Sequence, residues 1–276
     1  MTILGLPEPV LRFAAFAGVF AVMLLLERAF PRRTLTQARV GRWPTNLVMV
    51  GLGGLCVRLM GAIAMPLVAV GAAIMAAQQQ WGVLHQITLP FWIETTIAVV
   101  MLDALIWAQH RAFHRYPWLW RIHRMHHADR DIDVSTALRF HPLEIVLSML
   151  IKVVAVIALG ADAIAVIMFE VILNACAMFN HANLRLPIAL DHHLRCLLVT
   201  PDMHRVHHST RADEHHSNFG FNLSIWDRLA RTYRDQPRDG HAGMRIGLPA
   251  FQTAAPNSLL WCLRLPFSRD GSPDGR

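Results

Sequence analysis

Five apolar stretches, at roughly 11–30, 46–77, 91–109, 143–159 and 161–180, constrain this chain more than any other feature. About 20 apolar residues carry a helix across the hydrocarbon core of a bilayer. Within that core each segment must satisfy its own backbone polar groups, so the stretches are read as helices. The chain is 54% hydrophobic and only 16% charged over 276 residues, which is too apolar for an ordinary soluble domain. The expected fold class is all-α: an integral membrane protein built as a transmembrane helical bundle of about four or five spans.

The second stretch is over-long and contains Arg58 and Pro66, so it reads as one tilted or kinked span or as two short ones. The fourth and fifth meet at Gly160-Ala161-Asp162, a punctuation that reads as a helical hairpin. Arginine fills the 31–45 loop (Arg32, Arg33, Arg39, Arg42), is absent from 78–90, and returns at Arg111, Arg115, Arg121 and Arg124. If the second stretch crosses once, every arginine-rich segment lies on one face, and the positive-inside rule makes that face cytoplasmic. The expected location is a bacterial inner membrane, with residues 11–30 as a first span rather than a signal peptide, because the arginines follow the apolar run.

The net charge of +7 comes almost wholly from arginine, Lys152 being the only lysine. In a membrane protein this balance points to anionic lipid rather than to nucleic acid, and no nucleic-acid module is visible. Cys56, Cys176, Cys196 and Cys262 are widely spaced without a CxxC, so they read as packing residues.

The sixteen histidines are clustered. His110-x3-His114, His123-x2-His126-His127 and His204-x2-His207-His208 each place imidazoles on one helical face, as a shared metal centre requires. One histidine at a membrane boundary is commonly interfacial or hydrogen-bonded. Three boxes on one predicted face point to metal instead. Eight imidazoles exceed the three or four ligands of a usual zinc site, which favours two ions, and a dinuclear centre beside a bilayer suggests oxygen chemistry on a lipid.

Between about Asp103 and Tyr233 the strings DALIWAQHRAFH, LWRIHRMHHADRDIDVSTALRFHPLE, FNHANLRLP, TPDMHRVHHS and SNFGFNLSIWDRLARTY resemble the fatty acid hydroxylase/sterol desaturase superfamily of membrane di-iron oxygenases. That resemblance implies a helical membrane scaffold whose cytosolic histidine-rich cap holds two iron ions. The irons activate O2 to hydroxylate or desaturate an unactivated C–H bond of a sterol, carotenoid, fatty acyl or alkylglycerol lipid. The implied ligands are His110, His114, His123, His126, His127, His204, His207 and His208, joined by His181 of FNHAN. His141 precedes Pro142 and reads as structural or supporting rather than as a ligand, while His192, His193, His215 and His216 read as surface or supporting residues. Where the family ends this region with Gly before Thr-Tyr, this chain has Arg231, which bears on the turn geometry there.

Ligating imidazoles commonly give their second N–H to a carboxylate, and Asp103, Asp133 and Asp202 are the leading candidates, with Asp129, Asp131 and Asp213 behind them. Asp103 lies seven residues before His110 on one stripe, and it reads equally as a partner for Arg58. Glu170 and Asn174, four residues apart, fit helix–helix hydrogen bonding or a substrate channel. Trp107, Trp118 and Trp120 read as headgroup-level anchors. No haem-binding HPGG, GxGxxG or flavin-like run occurs, so electrons are expected from a separate ferredoxin or cytochrome b5-like donor with its reductase.

The expected organisation is 1–90 as N-terminal membrane helices, 91–234 as the catalytic region, and 235–276 as a polar tail whose last ten residues read as disordered. The rival readings are a histidine-rich metal transporter and a membrane zinc protein with a structural or hydrolytic metal. A transporter would spread its ligands through the spans, whereas the boxes cluster on one predicted face.

Overall fold

A computed structural model describes residues 2–3 and 5–268, so most of the expected disordered end, 269–276, lies outside the described residues. A short antiparallel pair, β1 (Thr2–Ile3) and β2 (Leu6–Pro7), precedes the helices. The helices are α1 (Glu8–Ala29), α2 (Arg39–Ile63), α3 (Ala69–Gln79), α4 (Phe91–Arg115), α5 (Pro117–His127), α6 (Pro142–Leu159) and α7 (Ala163–His181). Shorter helices follow: α8 (Ile188–Leu194), α9 (Pro201–His207), α10 (Ala212–His215), α11 (Ile225–Leu229), α12 (Gly240–Gly243) and α13 (Leu259–Arg264). The architecture is the expected all-α membrane type, since α1, α2, α4, α6 and α7 are each long and apolar enough to cross a bilayer.

The over-long second stretch resolves into α2, a 3-10 turn at Met65–Leu67 around Pro66, and α3. With 11 residues, α3 is about 16 Å long at 1.5 Å per residue, roughly half of a hydrocarbon core, so the stretch supplies one candidate span.

The chain forms two compact units. One comprises Met1–Trp43, His127–Leu138 and Val171–Thr253; the other comprises Pro44–His126, Arg139–Glu170 and Ala254–Arg276. The boundary at the second box therefore falls between two successive histidines, His126 and His127.

In the second unit the hairpin is as tight as the sequence demands. Gly160 caps α6 in the left-handed region at φ 71°, and the Asp162 carboxylate accepts a hydrogen bond from the Ile164 N–H at 2.7 Å, at the start of α7. Gly82, at φ +99°, sits so close that a Cβ there would lie 2.1 Å from the Gly160 nitrogen, so only glycine fits. Across the hairpin Lys152 of α6 and Glu170 of α7 form a buried ion pair, which answers the open question about Glu170 in favour of helix–helix bonding.

In the first unit the loop after α1 is pinned to the chain after α7 by a bridge between Pro31 and Leu184 and by hydrogen bonds from Arg32 N to Asn183 O (2.9 Å) and Arg185 N to Phe30 O (2.8 Å). Arg42 is fully buried and reaches Asp129 through Nε (2.7 Å) and Nη2 (2.8 Å) and Asp133 through Nη1 (2.8 Å). Its Nη2 also donates to the Asp131 carbonyl (3.1 Å) and the Thr136 hydroxyl (3.2 Å). This guanidinium thus holds the irregular segment that follows His127.

Candidate metal centre

In the second unit α4 places His110 and His114 one turn apart, and α5 turns His123 onto the same point. Their ring centroids are 4.9–5.1 Å apart, with planes near perpendicular, and one ligand nitrogen from each lies within 4.8 Å of the others. All three are buried. His123 Nδ1 lies 2.8 Å from Glu144 Oε1, while the His123 ring stacks on Phe113 at 5.5 Å. His126 donates Nδ1–H to the Arg139 carbonyl (3.1 Å) and stacks on Phe140 at 4.4 Å.

The Arg139 side chain is itself buried, donating to Met125 O, Asn46 Oδ1 and Pro256 O, so the peptide that orients His126 is fixed. His141 N-caps α6 by accepting the Leu143 N–H at 3.1 Å, a structural role as expected.

The first unit holds seven buried histidines, His241 among them. His181, His204 and His208 have ligand nitrogens within 4.8 Å of one another, and His204 Nε2 faces His181 Nε2 at 3.1 Å. His127 and His207 form a second such pair, with ring centroids 4.7 Å apart. His181 donates Nδ1–H to its own helix at the Ala177 carbonyl (2.7 Å), and His207 donates Nδ1–H to the Ser217 carbonyl (2.7 Å). In both, this fixes the tautomer and leaves Nε2 as the lone-pair donor, as a metal ligand requires.

Three devices hold these residues. Thr200 caps α9, accepting the Met203 N–H at 3.4 Å, and Pro201 opens that helix. Buried Asp227 accepts from Phe219 N (2.9 Å), Gly220 N (2.8 Å) and Thr232 Oγ1 (2.6 Å), closing the SNFGFNLSIWDRLARTY segment. Arg231 occupies the left-handed region at φ 57°, a backbone conformation that glycine adopts without strain and that an arginine rarely takes.

The nine predicted ligands therefore fall into compact clusters in both units. The acids fall differently. Asp133 holds Arg42 and the Ser135 hydroxyl (2.6 Å), and Asp202 holds Arg32 (3.0 Å), Arg205 and His241 (3.4 Å). Asp131 accepts from the backbone of Thr36 (3.0 Å) and Gln37 (2.8 Å), and Asp213 pairs with Arg234 and Arg238 at the surface. Asp103 is buried on α4.

Burial pushes the Asp202 carboxyl up, but Arg205, His241 and Arg32 outweigh it and hold the group below its ordinary value. Burial pushes His241 down to about 3, with Arg205 and Arg32 adding to the effect against the pull of Asp202.

One contact escaped the sequence reading. Glu144 meets a box histidine, and its only cue was its place in the RFHPLE string. His215, read as surface or supporting, takes the supporting place: it is buried, its ring 4.5 Å from His127 and 5.8 Å from His207. Trp120 also departs from expectation: it is buried against His114 at 4.9 Å and is no headgroup anchor, whereas Trp118 is exposed. His192 and His193 are exposed as expected.

A helical, membrane-type chain that buries convergent imidazoles belongs to the class of proteins whose side chains could hold a metal. More narrowly, the chain belongs to the fatty acid hydroxylase family, whose sequence model matches residues 95–232. It is similar to the ornithine lipid hydroxylase OlsE of Rhizobium tropici, at 24% identity over 258 residues, covering 93% of this chain and 75% of that one. It is also similar to the alkylglycerol monooxygenases of Homo sapiens and Xenopus tropicalis, each at 29% identity over 125 residues. Those matches cover 45% of this chain and 27% of each relative, so the chain matches about a quarter of their length. No solved structure matches.

Proposed function

We propose that this protein is an O2-dependent lipid hydroxylase with two iron ions held by its histidine boxes. The observation that carries the reading is the convergence of buried imidazoles whose Nδ1 atoms are committed, at His126, His181 and His207 to backbone carbonyls and at His123 to Glu144. One ion would rest on His110, His114 and His123, the other on His181, His204 and His208, with His126, His127 and His207 completing the shells. When bound, iron supplies the means of using O2 to oxidise an unactivated C–H bond.

The chain's own residues supply the rest. Glu144, 2.8 Å from His123 Nδ1, makes that imidazole a stronger donor and fixes its ring. Phe113, Phe140 and Phe219 pack on box histidines and exclude water from their faces. Asp133 and Asp202 act one step further out, holding the arginines that fix the segments carrying His127 and His204. The apolar spans present the acyl part of a lipid, and the relatives' names support a lipid substrate. The cluster face would be cytoplasmic, in the inner membrane, where a ferredoxin or cytochrome b5-like donor could reach it.

The test is purified protein in nanodiscs with lipid extract, NADH, a reductase and a ferredoxin. O2 consumption coupled to a lipid gaining 16 mass units, lost in His126→Ala and His207→Ala, supports the reading. Metal flux into proteoliposomes without lipid oxidation overturns it.

A further inference from the structure

The first unit contains an open cavity of about 680 Å³ that no box histidine lines. It starts at the last turn of α1, and its walls carry four guanidinium groups, Arg28, Arg32, Arg33 and Arg39, against a single carboxylate, Glu27. Two of the four are neutralised. Arg39 donates Nη2 to Glu27 at 3.0 Å, and Arg32 lies 3.0 Å from Asp202, which also serves Arg205.

The other two are not. Arg28 is exposed, and among the described residues it has no ion-pair partner. Arg33 donates Nη1 to the carbonyls of His241 (3.3 Å) and Met244 (2.8 Å), and its buried Nε has no hydrogen-bond acceptor. Burial lowers the pKa of Arg33, with Asp131 only partly opposing it, as expected of a cation short of a counter-charge.

The wall is also preformed. Arg33 N donates to Asn183 Oδ1 (3.2 Å) and Asn183 Nδ2 returns a bond to Arg33 O (2.8 Å), while Glu27 is held by the backbone N–H groups of Val134 (2.9 Å) and Asn183 (3.0 Å). A rigid, basic cavity with planar forked donors matches a phosphate or carboxylate. Its place at the end of an apolar helix of bilayer length puts it at headgroup depth.

We propose that this cavity binds an oxyanion, the phosphate or carboxylate headgroup of an anionic membrane lipid, with Arg28 and Arg33 as its principal contacts. The site is independent of the histidine clusters. The same chemistry in free solution is inorganic phosphate, and the test separates the two.

Full-length protein in detergent micelles is titrated with fluorescent phosphatidylglycerol, and the probe is competed with unlabelled phosphatidylglycerol, diacylglycerol or inorganic phosphate. Phosphatidylglycerol should displace the probe and diacylglycerol should not. Arg28→Gln/Arg33→Gln should weaken binding about tenfold or more, the loss of at least one charge-assisted hydrogen bond, with metal content unchanged. Arg28→Gln alone, at an exposed position with no ion-pair partner among the described residues, should weaken it about threefold, and it guards against misfolding of the double variant. Displacement by diacylglycerol, or equal affinity in Arg28→Gln and wild type, overturns the proposal, and displacement by millimolar phosphate overturns the lipid assignment.

Discussion

Replacing Arg42 by methionine tests how the segment after His127 is held. In the structure the Arg42 guanidinium makes five hydrogen bonds, three of them to the carboxylates of Asp129 and Asp133, and all three residues are buried. Methionine fills much of the volume but takes the buried cation from both carboxylates, leaving Asp133 only its longer contact with Arg39 at 3.7 Å. Removing one partner of a buried ion pair costs about 3–5 kcal/mol, whereas replacing the whole set with neutral groups is often close to neutral. At about 2–4 °C per kcal/mol the melting temperature should fall by roughly 6–20 °C.

Thermal unfolding of detergent-solubilised protein, followed by tryptophan fluorescence, measures the loss. Adding Asp129→Asn and Asp133→Asn to Arg42→Met should restore more than half of it. A fall under about 1 kcal/mol, or no recovery in the triple variant, would refute the claim that uncompensated charge dominates.

Glu144→Ala should lower metal affinity about 10–100-fold in chelator competition, and Glu144→Gln by less, because glutamine keeps an acceptor for His123 Nδ1. Gly82→Ala should destabilise by more than about 3 kcal/mol, since its Cβ meets Gly160 backbone at 2.1 Å, while Gly54→Ala in α2, with nothing within 4 Å, should be neutral or stabilising; melting temperatures decide. His241 is depressed to about 3, so below pH 6.5 the unfolded chain binds a proton that the folded one refuses, and stability falls as pH drops toward 3. At pH 5 that loss is about 2 kcal/mol, and His241→Gln should remove it without changing stability at pH 8.

The spans and the histidine boxes could be read from the chain because both are local patterns: apolar runs of bilayer length, and imidazoles at i, i+3 and i+4. The hairpin at Gly160 was visible for the same reason. What joins distant residues was not visible. Asp129, Asp131 and Asp133 stand beside His127 in sequence, yet their carboxylates turn to Arg42 and to the backbone of Thr36 and Gln37, about ninety residues earlier. Glu144, by contrast, reaches His123 across a 21-residue separation that no periodicity encodes.

For His215 the polar run left surface and supporting placement both open, and the fold decides between them by turning it against His127. Arg231 is instructive in another way. The missing glycine was a visible departure, but only the backbone reveals that the position is left-handed, with the strain carried by an arginine.

Whether the histidine boxes hold two irons is decided by metal analysis. Protein expressed in iron-replete medium and purified without chelators should carry two irons per chain, and His123→Ala and His204→Ala, one from each cluster, should each lose iron while retaining the wild-type helix content. Stoichiometric zinc with no iron, or full iron retention in both variants, would contradict it.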